Sequence, residues 1–389
     1  MSEWQETILD DIAIINPSES VAKGQMTKKV AMECLKPFTK KISEFSVEPF
    51  NGGMKFRNGD TIIARITPCL ENGKTAYVDI LDSNEIGFGS TEYIVLREKS
   101  GISDKHFLYY FSISPEFRDV AILAMTGSSG RQRVETNVVR NHTFLLPPLP
   151  EQKAIAGVLS SLDDKIDLLH RQNKTLEAMA EALFRQWFVE EADEGWETGS
   201  VIDFSTHYKT SIQPQKNPST KYFHYSIPAF DNNKNPVEEF GETIQSNKYN
   251  IPQNCILFSK LNPHRDKRIW LLLDDVKNDS ICSTEFQIIF PKDEKFLYFL
   301  YSWLSLKENY DEIASGVGGT SGSHQRIDPS FIFNFQCPFV VEDDIICYNN
   351  TVEPMFRKIK VNQTQIRSLE KLRDTLLPKL MSGEVRVGM

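Results

Sequence analysis

The sequence predicts an α+β protein: two similar mixed α/β domains separated by an antiparallel two-helix coiled coil, with a pseudo-twofold internal repeat. Three observations carry this. The chain matches itself at a nearly constant offset. Each half contains short β-branched and aromatic runs between turn residues. Each half also ends in a long heptad pattern, and the two patterns share one antiparallel register.

The repeat is weak but ordered. WQETILDDI from Trp4 lies opposite WETGSVIDF from Trp196, and GDTIIARITP (Gly59 to Pro68) lies opposite NCILFSKLNP (Asn254 to Pro263). STEYIVL from Ser90 matches STEFQII from Ser283, Gln132-Arg133-Val134 matches Gln325-Arg326-Ile327, and KTLEAMAEALF from Lys174 matches RSLEKLRDTLL from Arg367. The offset stays between 192 and 195 throughout. IIARI, EYIVL, CILFSKL and EFQIIF have strand chemistry. HFLYYFSIS and FLYFLYSWLSL read equally as buried helices or buried strands, because short apolar runs carry no decisive period.

The segment LPPLPEQKAIAGVLSSLDDKIDLLHRQ starts with a proline brake at Pro147, Pro148 and Pro150. Beyond it Ile155, Leu159, Leu162, Ile166, Leu169, Asn173, Leu176, Ala180, Leu183 and Trp187 advance by alternating steps of four and three. Near the C-terminus Ile345, Tyr348, Val352, Met355, Ile359, Asn362, Ile366, Leu369, Arg373, Leu376 and Leu380 do the same. Pro378 is expected to kink or end the second helix. In an antiparallel pair the numbers of facing residues have a constant sum. Ile155 with Leu380, Asn173 with Asn362 and Trp187 with Tyr348 all give 535. Two amides that meet in an apolar seam satisfy each other and fix the register. About 33 helical residues make a rod of roughly 50 Å. The alternative is two separate amphipathic helices, each packed on its own domain. The expected divisions are a first domain at 1–149, a helix at 150–193, a second domain at 194–341, and a second helix with the tail at 342–389.

Composition narrows the function. Apolar residues make up 40% and charged residues 25% of 389, the balance of a globular protein. No run is long and apolar enough to span a bilayer, and no secretory leader is read at the start. The six cysteines are scattered and form no C-x-x-C pair, so neither a disulfide framework nor a zinc site is expected, and a reducing cytoplasm is the natural location. The net charge of −9 argues against indiscriminate coating of nucleic acid. No P-loop, no Asn-Pro-Pro-aromatic methyltransferase motif and no HExxH occurs, so no catalytic or metal residues are assigned.

The chain resembles the specificity subunits (HsdS family) of type I restriction–modification systems. LPPLPEQKAIAGVLSSLDDKID and LRDTLLPKLMSGEVRV carry the resemblance most strongly, supported by IIARITP, LFSKLNP and GSSGRQRV. It implies two target-recognition domains, each reading half of a split duplex DNA sequence. It also implies a helical spacer that docks two methyltransferase subunits, with restriction/translocase subunits in the full complex. S-adenosylmethionine, ATP and Mg²⁺ would then belong to partner chains, with no cofactor in this one. The second half departs from the first: LPPLPEQ becomes CPFVVEDD and GSSGRQR becomes TSGSHQR.

Candidate DNA contacts follow from the matched positions. Arg65 and Thr67 lie opposite Lys260 and Asn262, the latter followed by His264 and Arg265. GSSGRQR offers Arg131, Gln132 and Arg133, and SGSHQR offers His324, Gln325 and Arg326. Arginine and glutamine make bidentate contacts to guanine and adenine, and glycines let backbone N–H groups approach phosphate. Arg65 and Lys260 are equally readable as structural charges, HRDKR as a solvated loop, and Glu92 and Glu285 as turn caps. Two other readings stay open: a stand-alone DNA methyltransferase or nuclease, and a coiled-coil scaffold that binds no DNA.

Overall fold

The computed structural model describes residues 4–387 apart from 129, 194, 275 and 319–324. The chain divides into two compact units, Met1–Leu169 with Gln365–Met389, and His170–Thr364.

The first unit is built on a four-stranded antiparallel sheet in the order Ala13–Ile15, Tyr93–Glu98, Thr61–Ala64, Thr75–Tyr77. Every residue of Thr61–Ala64 is buried, as a central strand covered on both faces requires. One face packs on the helix Lys105–Ile113, whose N-terminus is capped by Asp104; its carboxylate accepts from His106 N and Phe107 N. Seven of that helix's nine residues are buried, which is why HFLYYFSIS shows no helical period. The other face packs toward a second four-stranded sheet in the order Ser46–Pro49, Met26–Val30, Gly87–Gly89, Met54–Phe56. Gln5–Ile8 pairs with Thr143–Leu146, the strand that feeds the prolines.

The second unit has a four-stranded antiparallel sheet in the order Ser205–Tyr208, Phe286–Pro291, Cys255–Ser259, Ile269–Leu272. A five-stranded sheet lies beside it in the order Ser211–Ile212, Lys248–Asn250, Ser280–Ser283, Lys221–Tyr225, Val237–Phe240. FLYFLYSWLS is a helix, Phe296–Ser305. Thr198–Ser200 pairs with Gln336–Pro338.

Two long helices carry the heptad patterns, Leu149–Arg185 and Glu342–Met381. Pro150 is the second residue of its helix, where its missing N–H costs nothing. The buried Gln152 fixes the proline segment: Nε2 donates to Ile102 O and Pro147 O, and Oε1 accepts from Asp104 N. Of the two outcomes expected at Pro378, an end of the helix is overturned: the helix continues to Met381. Leu377, Leu380 and Met381 are buried in the core of the first unit, and that burial holds the final turn in place.

Within the first unit the helical segments run antiparallel: Ile155 and Leu159 share a core with Leu376, Leu377 and Leu380, and Ile166 and Leu169 pack on Ile366 and Leu369. Within the second unit Trp187 meets Tyr348 edge-on at 6.0 Å, and Asn362 Nδ2 donates to Asn173 Oδ1 at 2.8 Å. The seam position Arg373 is neutralised by Asp163, at 2.8 Å in the first unit. Among the described residues no helix is long and apolar enough to cross a membrane.

Candidate nucleic-acid interface

In the first unit the central strand Thr61–Ala64 runs out into Arg65-Ile66-Thr67, and this stub is gripped from two sides. Arg65 N donates to Glu92 O, Val134 N donates to Arg65 O, and Thr67 N donates to Gln132 O. Ile66 and Arg133 form an antiparallel bridge. Residues 65, 67, 92, 132 and 133, which are far apart in sequence, therefore share one rim. Arg131 is exposed beside them, in a loop turned by Gly127 and Gly130 at φ values of 122° and 80°, which favour glycine. Thr67 Oγ1 faces Met125 Sδ at 3.9 Å.

Arg133 is the exposed side chain of this rim, and Glu92 chelates it. Nε lies 2.9 Å from each carboxylate oxygen, and Nη2 lies 2.8 Å from Oε1. Arg65 Nε is 3.8 Å from the same carboxylate. The hydrogen bond from Arg133 holds the Glu92 carboxyl below the ordinary carboxylate range, and burial opposes it. The same bond raises the Arg133 guanidinium. A guanidinium has five N–H donors. The ion pair engages the Nε–Nη2 edge and leaves both Nη1 hydrogens outside it.

The second unit contains the same set of contacts. Lys260 N donates to Glu285 O, Ile327 N donates to Lys260 O, and Asn262 N donates to Gln325 O. Leu261 bridges Arg326 as Ile66 bridges Arg133. Arg326 is exposed and chelated by Glu285, with Nε at 3.2 and 3.0 Å and Nη2 at 2.8 Å. Asn262 takes a φ of 46°, and its carbonyl accepts from Arg265 N, so His264 and Arg265 are carried outward on an exposed turn. His324 lies outside the described residues. The rest of HRDKR is structural: Arg268 is buried against Asp231 and Asp266, and Lys267 Nζ donates to Ser305 O.

Sequence reasoning read Glu92 and Glu285 equally as turn caps or base contacts, and did not pair them with the arginines of this rim. A signal was present: each lies 41 residues before its arginine in both halves. Constant spacing of opposite charges across a repeat is what a conserved ion pair in each copy would leave.

Comparison with known proteins bears on what this rim serves. Residues 1–178 match the family described as the type I restriction modification DNA specificity domain. The specificity subunit of the type I restriction enzyme EcoAI from Escherichia coli is 34% identical over 206 residues, covering 50% of this chain and 35% of that protein. The MjaIX specificity subunit from Methanocaldococcus jannaschii is 27% identical over 323 residues, covering 74% of this chain and 71% of that protein. The alignment with the EcoAI subunit thus spans about a third of that relative's length. The crystal structure of the type I restriction–modification S subunit from M. genitalium superposes with a TM-score of 0.55 at 15% identity, over 97% of this chain and 96% of that one, which is a likeness of fold. Residues 1–178 thus carry the type I restriction modification DNA specificity domain, and the chain as a whole is similar to type I restriction enzyme specificity subunits.

Proposed function

We propose that this chain is the DNA-specificity subunit of a type I restriction–modification complex. It reads a bipartite duplex target, one mixed α/β domain per half-site. The observation that carries the reading is the repeated rim: one exposed, ion-paired arginine at the same position of each unit, on a strand-and-loop support made by the same backbone contacts. A protein with two such readers and divergent loops suits a target whose two halves differ in sequence. The rim offers polar and cationic groups for both jobs that DNA recognition requires, base contact and phosphate contact.

In this proposal the recognition domains are 1–149 and 194–341. The helical regions 150–193 and 342–389 form an antiparallel coiled-coil spacer between them, giving the chain its pseudo-twofold repeat. That spacer docks two methyltransferase subunits, and restriction/translocase subunits join in the full complex. The chain is not itself an enzyme; S-adenosylmethionine, ATP and Mg²⁺ act on the partner subunits. The complex works in the cytoplasm, where the DNA is. The sequence motifs of a nucleotide or methyl-donor site are missing, which favours this division of labour over a stand-alone methyltransferase or nuclease.

The test is to co-express the chain with its modification subunits and select binding sites from random duplex DNA. One bipartite sequence with a fixed gap is expected. Enrichment of a single continuous site, or of none, would reject the proposal. Tight binding of labelled S-adenosylmethionine by the isolated chain would reject the division of labour.

A further inference from the structure

An arginine meant to hold phosphate works best uncompensated, because its attraction is largely charge. Arg133 and Arg326 are not arranged that way. Each has a carboxylate on its Nε–Nη2 edge within 2.8–3.2 Å, and that negative charge offsets part of the guanidinium's attraction for phosphate. What the pairing leaves is geometry. The guanidinium plane is fixed, and one Nη1 hydrogen with the second Nη2 hydrogen forms a two-pronged end. That end matches two neutral acceptors side by side, and guanine N7 and O6 in the major groove are such a pair. The backbone of each glutamate is anchored too: Glu92 O accepts from Arg65 N, Glu285 O accepts from Lys260 N, and each glutamate N donates to the hydroxyl of the serine two residues earlier (Ser90 Oγ at 3.1 Å, Ser283 Oγ at 3.3 Å).

We infer that Glu92 and Glu285 are positioning residues that aim Arg133 and Arg326 at a guanine, one in each half-site, and so set specificity without touching DNA themselves. The inference rests on the DNA-reading function proposed above. It adds that each half of the target contains a G·C pair read by a buttressed arginine, and that removing a glutamate loosens sequence choice while strengthening charge attraction.

The test uses the full chain assembled with its modification subunits and selection from random duplex DNA, followed by salt titration on the selected site. In the parent, one position of each half should be guanine. Glu92→Ala should lower the preference for guanine at one position of one half by roughly 5- to 100-fold and leave the other half unchanged. It should also steepen the salt dependence by about one ion, because the released arginine becomes free to neutralise a phosphate. Arg133→Ala should lose preference at the same position, and the double variant should lose no more than Arg133→Ala alone. Glu285→Ala should do the same in the other half. Glu92→Gln, which keeps an acceptor and drops the charge, should give a smaller loss at that position; it carries the test if the alanine variant fails to assemble. Unchanged half-site preferences in a glutamate variant that still binds would overturn the inference alone. So would a uniform loss across sequences, which marks the pair as a phosphate contact. Failure of the parent to select any site would overturn the proposed function, and this inference with it.

Discussion

Asn362 Nδ2 donates to Asn173 Oδ1 across 2.8 Å in the apolar seam of the long helices, and Asn362 is fully buried. Asn362 Oδ1 has no partner. Desolvating such a pair is expensive, and the return is a single register rather than net stability. Asn362→Leu alone should therefore destabilise the chain by about 1–3 kcal/mol, because Asn173 is left without its donor. The double variant Asn173→Leu/Asn362→Leu should recover that loss or exceed the parent. Urea unfolding of the three proteins checks this, and a double variant as weak as the single one would show that the amides do not act as a pair.

Arg133 and Arg326 sit in different units, each with its own carboxylate. Replacing Arg133 with Ala in the assembled complex should weaken binding by about 1–3 kcal/mol on the correct half-site. Arg326→Ala should weaken the other half by a similar amount. With no shared partner the two losses should add to within a few tenths of a kcal/mol. Equilibrium binding to targets altered in one half at a time measures both. A loss equal on all sequences, with a salt slope smaller by about one, would identify phosphate contacts instead.

How much of this was legible depended on how local the determining contacts are. The seam positions were readable because helix geometry forces steps of three and four, so Leu169 beside Ile366 and Asn173 beside Asn362 follow from arithmetic. Pro378 misled because propensity is local and burial is not: Leu377, Leu380 and Met381 hold the turn that the proline disfavours. The helix Lys105–Ile113 was ambiguous because it is buried nearly all round and so lacks a polar face. Arg133 and Arg326 stood out as polar residues next to glycines or matched in the repeat. Their pairing with Glu92 and Glu285 did not, because a partner 41 residues away is invisible unless both copies are compared. Arg268 shows the converse: a charged loop by sequence, it is buried against Asp231, 37 residues distant.

In the first unit Asp163 binds two buried donors. Arg373 Nη1 reaches Oδ1 at 2.8 Å and Tyr110 OH donates to Oδ2 at 2.6 Å, while Lys40 Nζ donates to Ser160 Oγ at 2.7 Å beside them. Asp163→Ala removes the buried charge of the pair and leaves Arg373 with only the exposed carboxylate of Asp374, 2.9 Å from Nη2. That should cost about 3–5 kcal/mol. Asp163→Leu combined with Arg373→Met removes both charges and should cost markedly less. Denaturant midpoints of the two variants decide it; equal losses would mean that packing volume, not the stranded charge, sets the cost.

The second unit should weaken in mild acid, and His207 supplies a specific cause. Its ring stacks on Phe333 at 4.2 Å in the strand Ser205–Tyr208, and Nε2 has no partner. Burial, reinforced by the positive charge of Lys209 and partly opposed by the neighbouring Gln287 side chain, pushes its pKa down to about 4. An unfolded histidine titrates near 6.5. Between these values the unfolded chain binds a proton that the folded chain refuses, so stability rises with pH across that window. The contribution of a neutral ring is complete above pH 6.5 and is lost progressively as pH falls toward 4, by up to about 3 kcal/mol at about 1.4 kcal/mol per pH unit. His224 is lowered by burial too, so the parent alone does not isolate one ring. His207→Phe keeps an aromatic ring against Phe333 and removes the titration. Urea unfolding followed by tryptophan fluorescence at pH 7.5 and pH 4.5 should show a smaller acid-induced loss in His207→Phe than in the parent, by about 1–3 kcal/mol. Equal losses in the two proteins would mean that His207 accepts its proton in the folded state as readily as in the unfolded one.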